Sequence, residues 1–298
     1  MRGLGVTEAL GALPDVLLVV FALLTQLADV WFVLGLLTLL YWFGERAPVS
    51  LPRERGALLI ALAFGGLSLV VVLKGFFALA RPPMAGEASS LRYVPELLHG
   101  AYTNAATATG YGFPSGHALT ATVVWGGLAV VLDVGTRSRR ALVAGSVIAV
   151  VCLARLVLGV HYLVDVLAGV GIGLVYLAVV VKTARGRTRR AFGVAAVVAT
   201  GTLLGSVTAD GALALGATAG ALVAWEGVGE QLSTEYRMRI THGVLGVAVF
   251  GGAFAAVYLL EAGVVLTTLA GAAIGAGVIT MPLVAEWVGG RESQNVSR

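Results

Sequence analysis

Residues 56–73 read GALLIALAFGGLSLVVVL, eighteen residues without a charge, and Lys74 follows. A stretch of this length and character reads as a membrane-crossing helix, since about 20 apolar residues span a bilayer. The rest of the 298-residue chain has the same character: 58% is hydrophobic and 12% charged, where a water-facing chain carries about 25% charge. Mean hydropathy is +0.92. This composition excludes disorder, a disulfide scaffold and an ordinary soluble enzyme. The 41 glycines agree, because Gly is more frequent in transmembrane helices than in soluble ones. Cys152 is the single cysteine, so no intrachain disulfide forms.

Outward from a span at 56–79, further candidates lie near 26–44, 116–134, 141–155 and 162–181, then near 191–209, 211–225, 242–260 and 263–285. The expected fold is all-α, a polytopic transmembrane helix bundle of about nine spans. Residues 7–25 are apolar but interrupted by Pro14 and Asp15, which points to an interfacial or partly inserted N-terminal helix. No small-residue cleavage site follows 10–20, so the N-terminus is expected to be retained.

The formal charge of +4 does not imply nucleic acid, because the basic residues sit in short loops between apolar runs. One set of loops holds Arg46, Arg53, Arg55, Arg137, Arg139, Arg140, then Lys182, Arg185, Arg187, Arg189, Arg190, and finally Arg237, Arg239, Arg291 and Arg298, fifteen of twenty. The other side keeps Arg2, Lys74, Arg81, Arg92 and Arg155. The positive-inside rule then places the protein in the cell membrane with the N-terminus outside and the C-terminus in the cytoplasm. The run 182–190 reads as a topology anchor. It also divides the chain: 1–181 contains the unusual polar residues, and 191–298 is expected to be a membrane extension of about four Gly- and Ala-rich spans. His242 and Glu286 there lie at or near span ends and read as structural.

The polar residues near the outer side carry the chemistry. Lys74 and Arg81 are seven residues apart, two helical turns, and are expected to project from one helix face, with Pro82 and Pro83 ending the helix. Phe113-Pro114-Ser115-Gly116-His117 opens the third span: Ser115 is a helix N-cap, Gly116 permits close approach to the backbone, and free N–H groups there make an anion site. Arg155 precedes His161 and Asp165, with Gly159 as the break between spans. His161 and Asp165, four apart, are expected to share a helix face, the carboxylate accepting the imidazole N–H and leaving the other nitrogen free to attack. By parity of the spans all three segments emerge on the same side.

Lys74-x6-Arg81-Pro82, Pro114-Ser115-Gly116-His117 and Arg155-x5-His161-x3-Asp165 together resemble the three-part signature of the type 2 phosphatidic acid phosphatases, the PAP2 or lipid phosphate phosphatase superfamily. The order and spacing match over residues 74–165. The family usually has Ser before the Arg of the third motif, and here the residue is Ala154, which removes one hydrogen-bond donor. The resemblance implies a PAP2-like helical core in which Lys74, Arg81 and Arg155 bind phosphate oxygens, with Ser115 and the Gly116 N–H adding hydrogen bonds. It implies His161 as nucleophile forming a phosphohistidine, Asp165 as its orienting partner and His117 as the acid. It also implies a reaction with no cofactor and no metal.

Residues 82–113 form a long outer segment containing Glu87, Arg92, Glu96 and His99, expected to cover or border the site. With lipid at its approaches, the expected substrate is a lipid phosphate, such as phosphatidic acid, phosphatidylglycerophosphate or a polyprenyl diphosphate. The alternatives are an anion or proton-coupled transporter, for which no interrupted helices in matching halves are visible, and an inactive lipid-binding scaffold.

Overall fold

The computed structural model describes the chain except residues 1–2, 7–9, 11–12, 47, 206, 233–237 and 297–298, and except the side chains of 289–296. Arg2, Arg237, Arg298 and the side chain of Arg291 therefore lie outside the described residues. The fold is all-α. In chain order the helices are α1 (Asp15–Leu24), α2 (Val30–Phe43), α3 (Arg53–Phe77), α4 (His99–Ala106), α5 (Gly116–Val131), α6 (Arg137–Val157), α7 (Leu163–Ala184), α8 (Thr188–Thr200), α9 (Ala209–Val228), α10 (Ile240–Leu259) and α11 (Val264–Val296).

A helix stands at each of the nine expected positions, but fewer are full spans. Among the described residues, six helices are long and apolar enough to cross a membrane: α3, α6, α7, α9, α10 and α11 through Val288. A seventh is counted if Asp15–Ala28 and Val30–Phe43 form one broken span. The expected span at 26–44 is the second half of that pair. It is interrupted at Asp29, whose backbone is extended and whose C=O accepts from Val33 N–H at 2.9 Å. The helix α5 has 16 residues and α8 has 13, about 24 and 20 Å at 1.5 Å per residue, short of a hydrocarbon core of about 30 Å.

The chain divides into two compact units, Met1–Val33 with Leu73–Val179, and Leu34–Val72 with Val180–Arg298. In the first, α5 lies along α6, and α7 meets α5 through glycines. A Cβ on Gly169 would stand 2.6 Å from the Ser115 carbonyl oxygen, and one on Gly173 would stand 2.9 Å from Thr122 Cβ. Small residues four apart let helix backbones approach closely in this way. The start of α5 is thereby held at the start of α7, where Ser115 N–H donates to Asp165 C=O at 2.9 Å. Residues 82–113 fold onto α1: Tyr102 and Ala106 pack with Ala22 and Val19, and Arg92 pairs with Asp15.

In the second unit α9 and α11 approach through two further glycine pairs. A Cβ on Gly216 or Gly220 would meet the backbone oxygen of Thr268 or Ala272 at 2.0 Å, and one on Gly275 that of Ala217 at 2.1 Å. Within α11 stands Pro282, which has no N–H to give the carbonyl four residues earlier. That carbonyl, Val278 C=O, accepts instead from Trp42 Nε1 at 2.9 Å, and Tyr41 Oη donates to the neighbouring Ile279 C=O at 2.8 Å. Neighbouring side chains of this kind are what make a proline tolerable inside a membrane helix.

Candidate active site

All eight residues singled out from the sequence fall in the first unit. Lys74 lies in the last turn of α3, which ends at Phe77. Ala78 follows with φ of +48° and its N–H donates to Lys74 C=O at 2.9 Å, a left-handed helix stop. The helix therefore ends before Arg81, so the expectation that Lys74 and Arg81 share a helix face is corrected. The residue before a proline is disfavoured in the helical region, and Arg81 stands there.

Arg81 reaches the site by a different route. Its Nε donates to Thr109 C=O at 3.0 Å and its guanidinium to Val160 C=O at 3.0 Å. The same terminal nitrogen lies 3.0 Å from His161 Nε2. The stretch carrying it is tied to the far end of residues 82–113, Gly112 N–H to Leu79 C=O at 2.7 Å and Ala108 N–H to Ala85 C=O at 2.8 Å. The approach at Gly112 is close: a Cβ there would stand 3.0 Å from Arg81 Cγ.

His161 occupies the turn between α6 and α7, after Gly159 at φ +68°, and is 1% exposed. It precedes the helix, so the expectation that it shares a helix face with Asp165 is also corrected. Tyr162 N–H donates to Asp165 Oδ2 at 3.0 Å, a helix-start bond in which the third residue's side chain reaches back to the cap. This holds Oδ2 3.6 Å from His161 Nδ1, longer than a hydrogen bond. The tautomer follows from Arg81. A guanidinium has donors only, so Nε2 is the acceptor and the proton belongs on Nδ1, facing Asp165. Burial, then Arg155, Arg81, Lys74 and His117, push the His161 pKa well below the ordinary value. The imidazole is neutral, with a lone pair on Nε2.

Arg155 is buried in α6. Its guanidinium donates to Thr25 Oγ1 at 3.2 Å and to Ala105 C=O at 3.5 Å, while its buried Nε has no hydrogen-bond partner among the described residues. Ser115 is the N-cap of α5, its Oγ accepting from Ala118 N–H at 3.5 Å. His117, in the first turn, points Nε2 toward Asp29 Oδ2 at 3.7 Å. Residues 82–113 border the site through Ala105 and Thr109.

Asp29 and Thr25 were not among the residues picked from sequence. A carboxylate within an apolar run is a functional candidate in its own right, and Asp29 stands within the span expected at 26–44, so that signal was available. Thr25 carries none. Among the described residues no three His, Cys, Asp or Glu side chains converge as a metal site would require.

The model of the PAP2 superfamily matches residues 56–189. This segment belongs to the PAP2 superfamily. All three motifs of the PAP2 segment lie within the match, while Asp29, Thr25 and residues 190–298 lie outside it. PAP2 proteins are generally phosphatases acting on phosphate esters, and the apolar helices of this chain are those of a membrane protein. No curated protein and no solved structure matches the chain.

Proposed function

We propose that the protein is an integral membrane lipid phosphatase that cleaves a phosphate monoester or diphosphate of a lipid through a phosphohistidine at His161, without a metal. The observation that supports this most is the setting of His161. It is a buried neutral imidazole whose Nε2 is met by Arg81 at 3.0 Å and which feels Arg155 and Lys74 as well. Three cations around a nucleophilic nitrogen suit a phosphoryl group and would stabilise charge on its equatorial oxygens.

In the proposed reaction the incoming phosphate takes Arg81 from Nε2 and accepts from Lys74, Arg81, Arg155, Ser115 and the Gly116 N–H. The unpartnered Nε of Arg155 supplies one of these donors. Nε2 attacks phosphorus, the bond to the lipid oxygen breaks, and His117 gives its proton to the departing alkoxide. Asp165 stabilises the positive charge left on His161. Neutral His117 then takes a proton from water, the hydroxide attacks phosphorus, the P–N bond breaks, and inorganic phosphate leaves with His161 neutral again. Asp29 sits behind His117 and would orient its ring and favour its protonated form before the first step. Division into two displacements addresses a reaction that is extremely slow unaided.

We place the chemistry in residues 1–181, at the outer face of the cell membrane, and leave 191–298 outside the reaction. The substrates that fit are amphiphiles delivered through lipid, namely phosphatidic acid, phosphatidylglycerophosphate or polyprenyl diphosphates. The test is phosphate release by the purified protein from a panel of these lipids with chelator present. Activity that persists in chelator and disappears in His161→Ala is expected. Equal turnover by wild type and His161→Ala would overturn the proposal.

A further inference from the structure

Two adjoining grooves lie in the other unit, along α8. One groove of about 500 Å³, almost wholly apolar, is lined by Thr183, Arg190, Gly193, Val194, Val197 and Val198. Another of about 440 Å³ is lined by Arg187, Arg189, Arg190, Gly193, Leu222 and Glu226. Arg190 and Gly193 line both, so the two form one track with a basic end and an apolar end. Arg189 Nε is held by Glu226 Oε1 at 2.6 Å, which neutralises that pair. Arg187 and Arg190 have no carboxylate partner among the described residues. Arg187 is also the N-cap of α8, without a side-chain cap, so the helix end adds to the positive field.

We propose that this track binds an acidic phospholipid, its phosphate between Arg187 and Arg190 and an acyl chain along Gly193, Val194 and Val197. Charges that only set topology need no groove, and here they open onto one. A soluble anion would leave the apolar half empty. A zwitterionic lipid would bring its own cation to the arginines. Basic residues at the membrane surface attract anionic headgroups, and the apolar wall restricts the attraction to a lipid. Gly193 marks the junction: a Cβ there would meet nothing within 4 Å, so a larger side chain can fill the track without disturbing the helix.

The test uses the full-length protein in detergent micelles, titrated with dioleoyl phosphatidylglycerol, dioleoyl phosphatidylcholine or glycerol 3-phosphate and read by native mass spectrometry. Phosphatidylglycerol is expected to bind in preference to the other two. Arg187→Gln with Arg190→Gln should weaken it about 25-fold, at about fivefold per cation. Gly193→Leu should abolish the preference with an unchanged melting temperature, and it decides the matter if the arginine variant folds poorly. Lys74→Gln with Arg155→Gln should leave binding intact. Undiminished phosphatidylglycerol binding in Gly193→Leu, equal binding of phosphatidylcholine, saturation by glycerol 3-phosphate, or a loss only in the Lys74 and Arg155 variant would each overturn the proposal.

Discussion

Both compact units contain an interrupted helix whose released carbonyl is taken by a tryptophan, and they put the interruption to different use. In the second unit Pro282 frees Val278 C=O and Trp42 Nε1 takes it. The repair leaves an apolar helix in place. In the first, the chain breaks at Asp29, Trp125 Nε1 takes Leu27 C=O at 2.9 Å, and the break presents a carboxylate to His117. Glycines divide the same way. Those of α9 and α11 bring backbone against backbone, whereas Gly169 and Gly173 of α7 bring the cap of α5 beside Asp165. The same packing devices therefore build a plain helix pair in one unit and bring Ser115 beside Asp165 in the other.

The sharpest way to break this comparison is His161→Ala. Loss of the nucleophile should lower kcat by on the order of 10⁴-fold or more with the melting temperature little changed, and an active variant would leave the first unit with no more chemistry than the second. His117→Ala should cost about 10² to 10⁴-fold in kcat. Asp29→Asn should cost less than that, with Asp29→Glu recovering part of the loss; equal rates in wild type and Asp29→Asn would reduce the break at Asp29 to a packing feature.

Overpacking sharpens the contrast. Gly173→Leu and Gly220→Leu should each destabilise by about 3 kcal/mol, measured by thermal unfolding. Only Gly173→Leu should lose activity beyond its loss of folded protein. Parallel activity in the two would show that the α5–α7 approach does not align the site.

A pH profile tests the charge around the nucleophile. The folded pKa of His161 is depressed, first by burial and then by the cations, so the neutral, attacking form persists as pH falls below the ordinary imidazole value of about 6.5. The acid limb of kcat/KM should lie below that value. Lys74→Gln removes a charge that opposes protonation, so it should move the limb upward, and a downward move would refute the assignment. The smallest effect expected is Trp42→Phe, about 1 kcal/mol for the hydrogen bond to Val278 C=O, with no change in phosphatase rate.

The motif residues were legible because their types and order are carried by the chain itself, and Ser115 is a cap and Gly159 a break for local reasons. Arg81 was misplaced because the backbone turns left-handed at Ala78, four residues ahead of the prolines taken as the stop. Asp29 was passed over because a hydropathy ruler averages across one carboxylate, and the break is local. Nine spans were expected where six helices, or seven with the bent pair, pass as spans among the described residues, because apolar length along the chain does not show where the helix hydrogen bonds stop, as they do after Val131 in α5 and after Thr200 in α8.

Composition and periodicity by themselves determined an all-helical membrane protein, since a chain with so few charges must satisfy its backbone internally to lie in lipid. The order of Lys74, Arg81, Ser115, His117, Arg155, His161 and Asp165 carried the resemblance to the PAP2 superfamily, whose model matches residues 56–189. Tertiary structure alone decided that Arg81 meets Nε2 of His161, that Asp165 faces Nδ1, and that Asp29 stands behind His117. Those facts depend on atoms far apart in the chain meeting within about 3 to 4 Å, where hydrogen bonding and charge act, and a linear spacing carries no such distance.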